Sequence, residues 1–199
     1  MVLIKKIILT ILILLVLTSS IQAVSFEEFA VDRMIYVSEK YCTFNDNITA
    51  VTPKQARYRI RAIKHWSKEF NDMYPSIHPR RIMKDVIAIS EFEASYLNFD
   101  SILDNGDSFG MFSLQWRTVK DIANRNGWEF NRIKIQNDPY YQAKYAVWYY
   151  YHQLQRKGNR YDAIIAYNYP SVSDNDRWRR YFMGVLGIIT YHDKLLKGE

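Results

Sequence analysis

The sequence predicts an all-α domain, and three observations carry that prediction. Apolar residues recur at helical spacing, helix-start signals precede those runs, and no segment sustains the apolar-polar alternation of a half-buried strand. Ser25 with Glu28 and Thr52 with Gln55 are capping-box patterns, and Pro53 suits a first helical position. The helix after Thr52 presents Ile60, Ile63, Trp66 and Phe70 along one face. A third helix is predicted from Pro79 to about Leu97, then others at 116–125, 139–157, 160–168 and 174–196, punctuated by Gly127, Gly158 and Pro170. Between Asn98 and Gly110, Asn105, Gly106 and three aspartates crowd together, which predicts a loop able to carry a small hairpin.

At 199 residues and 48% hydrophobic, the chain is long enough to bury one full core. Lys5 and Lys6 precede the apolar run Ile7 to Leu17, and a small polar stretch ends at Ala23. Residues 1–23 therefore read as a secretory signal peptide or an uncleaved anchor, and residues 24–199 as a single domain, periplasmic or secreted. The apolar run is shorter than the ~20 residues a membrane-crossing helix needs, which favours the cleaved form. Cys42 is alone, so no internal disulfide is available. The four histidines lack metal-ligand spacing, and neither metal nor cofactor is predicted. Losing Lys5 and Lys6 with the leader lowers the net charge from +6 to +4. That mild balance, without a dense basic run, argues against nucleic acid as a partner.

The first chemical clue lies on the third helix. Ile82, Val86, Ile89, Glu93 and Leu97 follow at steps of three or four, which sets a carboxylate on an aliphatic stripe. Glu91 projects about 200° away, so the two acids do not form a pair. A carboxyl held among apolar groups keeps its proton towards neutral pH, as a general acid must. A Glu near a helix end that bends into solvent or meets an Arg fits the same pattern, so periodicity alone leaves both readings open.

Glu93-Ala94-Ser95-Tyr96 resembles the Glu-Ser-x-Phe/Tyr motif that ends the catalytic helix of lytic transglycosylases and goose-type lysozymes. Ser108-Phe109-Gly110-Met111-Phe112-Ser113-Leu114 is similar to the family's Gly-Leu-Met/Phe-Gln-Ile element, and Thr118 stands where the family has its Thr. Asp138-Pro139 with Ala146 and Tyr149 looks like a further family helix. Ala163-Ile164-Ile165-Ala166-Tyr167-Asn168 matches the Ala-x-x-Ala-Tyr-Asn element, and Tyr181 with Val185 resembles the closing Tyr-Val-x-x-Val segment. The likeness runs in family order over about residues 80–190.

The resemblance implies a lysozyme-like helical domain that cuts the bond between N-acetylmuramic acid and N-acetylglucosamine in peptidoglycan, leaving a 1,6-anhydro sugar. Glycan strands would be its partner, and a membrane only if the leader is uncleaved. Glu93 would be the one acid/base, with Tyr167 orienting it or the substrate and Asn168 tying down backbone. Ser108, Gly110, Met111 and Ser113 would line the groove and Tyr169 its rim, while Phe109, Met111 and Phe112 serve as apolar walls or as plain core. The aromatic cluster Tyr145, Trp148, Tyr149, Tyr150 and Tyr151 covers every side of its helix and is expected to be mainly structural. Three departures stand out: Ser113 replaces the usual Gln, Tyr169-Pro170 replace a small residue and Gly, and Arg177 falls where many members have a second Glu. They leave two other readings open. One is a hydrolytic muramidase, with Asp104 or Asp107 as second carboxylate; the other is a non-catalytic cell-wall binder.

Overall fold

Both capping boxes form. Ser25 Oγ accepts from the Glu28 N–H and the Glu28 carboxylate accepts from the Ser25 N–H, each at 3.2 Å, which opens α1 (Phe26–Cys42). Thr52 and Gln55 make the same reciprocal pair at 3.3 and 2.9 Å, and α2 (Pro53–Glu69) follows with Pro53 in its first turn. These bonds belong to a computed structural model that describes residues 25–43, 49–97, 105–168 and 176–197. The predicted leader, Asn98 to Asp104, Tyr169 and Pro170 lie outside the described residues.

A short 3-10 turn at Asn71–Met73 leads to α3 (Pro79–Ala94), whose N-cap is the His78 imidazole, accepting from the Arg80 N–H at 3.1 Å. A two-stranded antiparallel hairpin follows, β1 (Ser108–Phe109) against β2 (Leu114–Gln115), in the register Ser108 to Gln115 and Phe109 to Leu114. Then come α4 (Trp116–Asn126), α5 (Arg132–Asn137), α6 (Pro139–Lys157), α7 (Arg160–Asn168) and α8 (Asp176–Leu195). The fold is all-α, with the small hairpin as its single sheet among the described residues. None of the described helices is long and apolar enough to cross a membrane.

Two elements differ from expectation. α5 was not predicted, because its six residues bury only Ile135 and give no periodic signal. What starts it is Asn131, whose side chain accepts from the Lys134 N–H at 3.0 Å. α3 ends at Ala94 rather than near Leu97, because Ser95 and Tyr96 turn left-handed at φ 47° and 65°. That conformation costs a non-glycine residue about 1–2 kcal/mol, and the surroundings offset it. Ser95 N–H donates to Glu91 O at 3.0 Å, and the buried Arg59 guanidinium donates to the Tyr96 carbonyl. Leu97 is buried, yet it reaches the core from beyond the helix rather than as its next turn.

One contiguous apolar cluster runs through the helices, with Ile63, Ile87, Val147 and Ile164 wholly enclosed. Helix α6 packs on both α2 and α7, and α3 lies against α2 and α8. Tyr145, Tyr150 and Tyr151 of α6 are buried, and the two last spend their hydroxyls internally: Tyr151 on Ser67 O at 2.7 Å, Tyr150 on Asp85 at 2.8 Å. These rings are structural, as their spread around α6 implied.

The Asp85 bond matters for the site. This fully buried carboxylate on α3 takes a two-pronged pair from Arg160 at the start of α7, at 2.7 and 2.5 Å. Eight residues beyond Asp85 stands Glu93, and eight beyond Arg160 stands Asn168. At 1.5 Å per residue both helices advance about 12 Å from the pin, and at that point their side chains meet again.

Candidate active site

Glu93 occupies the last turn of α3, and Asn168 the last turn of α7; Asn168 Nδ2 donates to Glu93 Oε1 at 2.7 Å. The expectation for Asn168 is that it ties down backbone or lines the substrate site. The structure adds a bond from its amide to the Glu93 carboxylate, with the Asp85–Arg160 pin holding the two helices side by side. Helix α8 supplies the buried Tyr181, whose phenol also hydrogen-bonds the Glu93 carboxyl. The hairpin turn supplies Ser113, whose hydroxyl lies 3.3 Å from the Glu93 carbonyl and bonds the carboxyl as well.

Glu93 is half-buried, below the aliphatic row Ile82, Val86 and Ile89, all fully enclosed. Burial raises its pKa above the ordinary value, and the bonds from Asn168, Tyr181 and Ser113 pull only partly against that rise. Among the described residues no second acid contributes to the titration of Glu93. Asp107 is exposed, and Asp104 lies outside the described residues.

Tyr167 is buried beside Glu93, with its ring edge-on to Tyr149 at 5.2 Å. Burial, and then the neighbouring Glu93 charge, push its pKa well up, so it remains a proton-bearing phenol. Its hydroxyl has no hydrogen-bond partner among the described residues. Leaving a buried hydroxyl unbonded costs about 1–3 kcal/mol, so this donor stands available to a polar group entering beside Glu93.

The hairpin is fixed from behind. Ser90 Oγ, one turn before Glu93, donates to Met111 O at 2.7 Å, and the Met111 N–H donates to Gln142 Oε1 at 3.1 Å. Gly110 sits at φ 74°, where an added Cβ would come 2.5 Å from Gln142 Oε1. The closeness this glycine permits is thus to the Gln142 side chain. Phe109, Met111 and Phe112 are completely buried, and Phe109 stacks on Trp116 with centroids 3.6 Å apart. Of the two expectations for these three, apolar walls or plain core, complete burial favours core, and Met111, expected in the groove, backs the site instead. Ser108 is buried at the foot of the hairpin, paired with Gln115. Of the expected site residues, Ser113, Tyr167 and Asn168 are thus brought to Glu93; Ser108, Gly110 and Met111 support them from the hairpin; Tyr169 lies outside the described residues. Tyr181 is the addition. The signal for it was its place in the closing Tyr-Val resemblance, without any indication of what its hydroxyl would touch.

Two residues before Glu93, on the same helix, Glu91 has the opposite surroundings. Its carboxylate is buried and takes a two-pronged bond from Arg33, the Tyr96 hydroxyl at 2.7 Å and His192 Nε2 at 3.0 Å. Burial alone would raise its pKa, but the bonds from His192, Arg33 and Tyr96 with the Arg33 charge hold it at about 2. Glu91 is an ionised strut between α1, α3 and α8 at any pH well above about 2.

No protein-family model, curated protein or solved structure matches this chain.

Proposed function

We propose that this chain is a lytic transglycosylase of peptidoglycan, with Glu93 as acid and then base. The observation that carries the reading is a single half-buried carboxyl with a raised pKa, gripped at Oε1 by Asn168 and flanked by Tyr181 and Tyr167. Resemblance in ordered motifs supplies the substrate and the internal nucleophile, the attack by the sugar's own hydroxyl that lets one carboxyl serve where most glycosidases use two.

In the first step the Glu93 proton passes to the oxygen joining N-acetylmuramic acid to N-acetylglucosamine, and the bond from that oxygen to the anomeric carbon breaks. The Glu93 carboxylate then removes the proton of the muramic acid 6-hydroxyl as that oxygen bonds the anomeric carbon. The products are a 1,6-anhydro sugar and a free 4-hydroxyl, and Glu93 recovers its proton. Because the attacking hydroxyl belongs to the same sugar, proximity replaces a second carboxylate; effective molarities of about 10⁵ M or more are reached in well-oriented cases. Asn168 and Tyr181 would aim the carboxyl, and the Tyr167 hydroxyl is the group offered to the sugar.

Mass spectrometry of peptidoglycan digested with wild type and with Glu93→Gln tests this reading. Anhydromuropeptides from wild type and none from the variant are expected. Reducing ends would make the enzyme a hydrolase, and no soluble product from wild type would overturn the enzymatic reading.

A further inference from the structure

A cavity of about 480 Å³ opens between α4 and α6. Its floor is aromatic: the Trp148 indole and His152 imidazole stack at 5.1 Å and 17°, with Tyr149 beside them. Its rim carries three exposed guanidinium groups, Arg117, Arg125 and Arg156. The lining holds one carboxylate, Asp121, already bridged to Arg125 at 2.9 Å. Among the described residues Arg117 makes no ion pair, and Arg156 bonds only the neutral Gln153 amide, at 3.2 Å. The excess charge reaches the floor: burial, then Arg156 and Arg125, lower the pKa of His152, which keeps the ring neutral.

Two short connections join this cavity to Glu93. Tyr149 in its wall meets Tyr167 edge-on, and Tyr167 lies beside Glu93. Gln115 in its lining is two residues along the hairpin from Ser113, which bonds Glu93. The cavity and Glu93 thus share the Tyr149–Tyr167 contact and the hairpin between them. Guanidinium groups favour two-pronged bonds to planar carboxylates, and a flat ring floor suits the face of a sugar.

We propose that the cavity binds a carboxylate of the strand cut at Glu93, supplied by the peptide stem or, where the stem has been removed, by the lactyl carboxyl that its removal frees. This inference rests on the peptidoglycan reading above, and its test is binding, so the two fail separately. The probes are a peptidoglycan tetrasaccharide carrying its peptide stems and the same tetrasaccharide stripped of them by an amidase. The protein is the full chain with Glu93→Gln, with and without Arg117→Gln, Arg125→Gln and Arg156→Gln together. These arginines are exposed, and the one surface ion pair lost is worth under about 1 kcal/mol, so the melting curve should hardly move.

The Kd of the stem-bearing probe should rise at least about tenfold in the triple variant, and by less in high salt. A loss confined to the stem-bearing probe assigns the bond to the stem carboxylates alone; an equal loss on the stripped probe shows that the lactyl carboxylate freed by the amidase takes the same place. Unchanged affinity for both probes, or no binding of either by the parent protein, would overturn the proposal. Whether Glu93 cleaves the strand is read independently, from released muropeptides.

Discussion

Glu91 and Glu93 sit two residues apart on one helix, and the protein treats them in opposite ways. Glu91 turns into the seam between α1 and α8, where Arg33, His192 and Tyr96 satisfy its carboxylate and hold its pKa at about 2. Glu93 turns towards the hairpin and the ends of α7 and α8, where it meets neutral donors only and its pKa rises. Burial acts the same way on both. The difference is a cation: one guanidinium converts a buried acid into a strut, and its absence among the described neighbours of Glu93 leaves a proton there for chemistry.

The largest effect expected from breaking this contrast is on turnover. Glu93→Gln should lower glycan cleavage by about 10²–10⁴-fold or more with little change in the melting temperature, whereas Glu91→Gln should keep the acid yet unsettle the fold. Removing one partner of a buried ion pair costs about 3–5 kcal/mol, which thermal and urea melts would register.

The pH dependence carries the same contrast. The folded pKa of Glu91, about 2, lies below its ordinary 4.5, so the unfolded chain binds more protons between those values. Its contribution is complete above the ordinary value and is lost as pH falls towards 2. For Glu93 the folded pKa is the higher one, so ionising it weakens the fold as pH rises through that raised value. Urea melts from pH 2 to 8 should show the acid-side loss in wild type and its disappearance in Glu91→Gln.

A smaller effect is expected at Gly184, where an added methyl would lie 2.0 Å from the edge of the Phe92 ring. Phe92 stands edge-on to Tyr181 at 5.2 Å and is itself exposed. It has room to swing outwards, so Gly184→Ala should cost only about 1 kcal/mol, a few degrees of melting temperature, with a drop in activity through Tyr181. The smallest change is in titration. Asn168→Ala removes a bond that holds Glu93 down, so the alkaline limb of the pH–rate profile should move upward. A downward move would contradict the assigned role of Asn168.

Local chemistry made much of this legible beforehand. The Ser25–Glu28 and Thr52–Gln55 boxes, Pro53 and the Gly127 and Gly158 breaks act within a few residues, so helix starts and stops could be read from adjacent letters. Glu93 stands out because the sequence sets it on a stripe with four aliphatic residues, Ile82, Val86, Ile89 and Leu97. The Glu91 strut was invisible, since Arg33 and His192 reach it from 58 and 101 residues away. Asn168 belongs to a legible motif, but its bond to Glu93 joins residues 75 apart and depends on how α3 and α7 pack, which the Asp85–Arg160 pair, also 75 residues apart, helps to fix. The short α5 gave no periodicity at all. Helix ends are local, whereas partners of a buried charge are set by packing.

The most direct test is a carbon-detected NMR titration of the glutamate side-chain carboxyls, assigned with Glu91→Gln and Glu93→Gln. The account predicts that Glu91 stays ionised down to about 2 while Glu93 holds its proton above the ordinary value of 4.5. A Glu93 carboxyl that titrates at or below that value would contradict it.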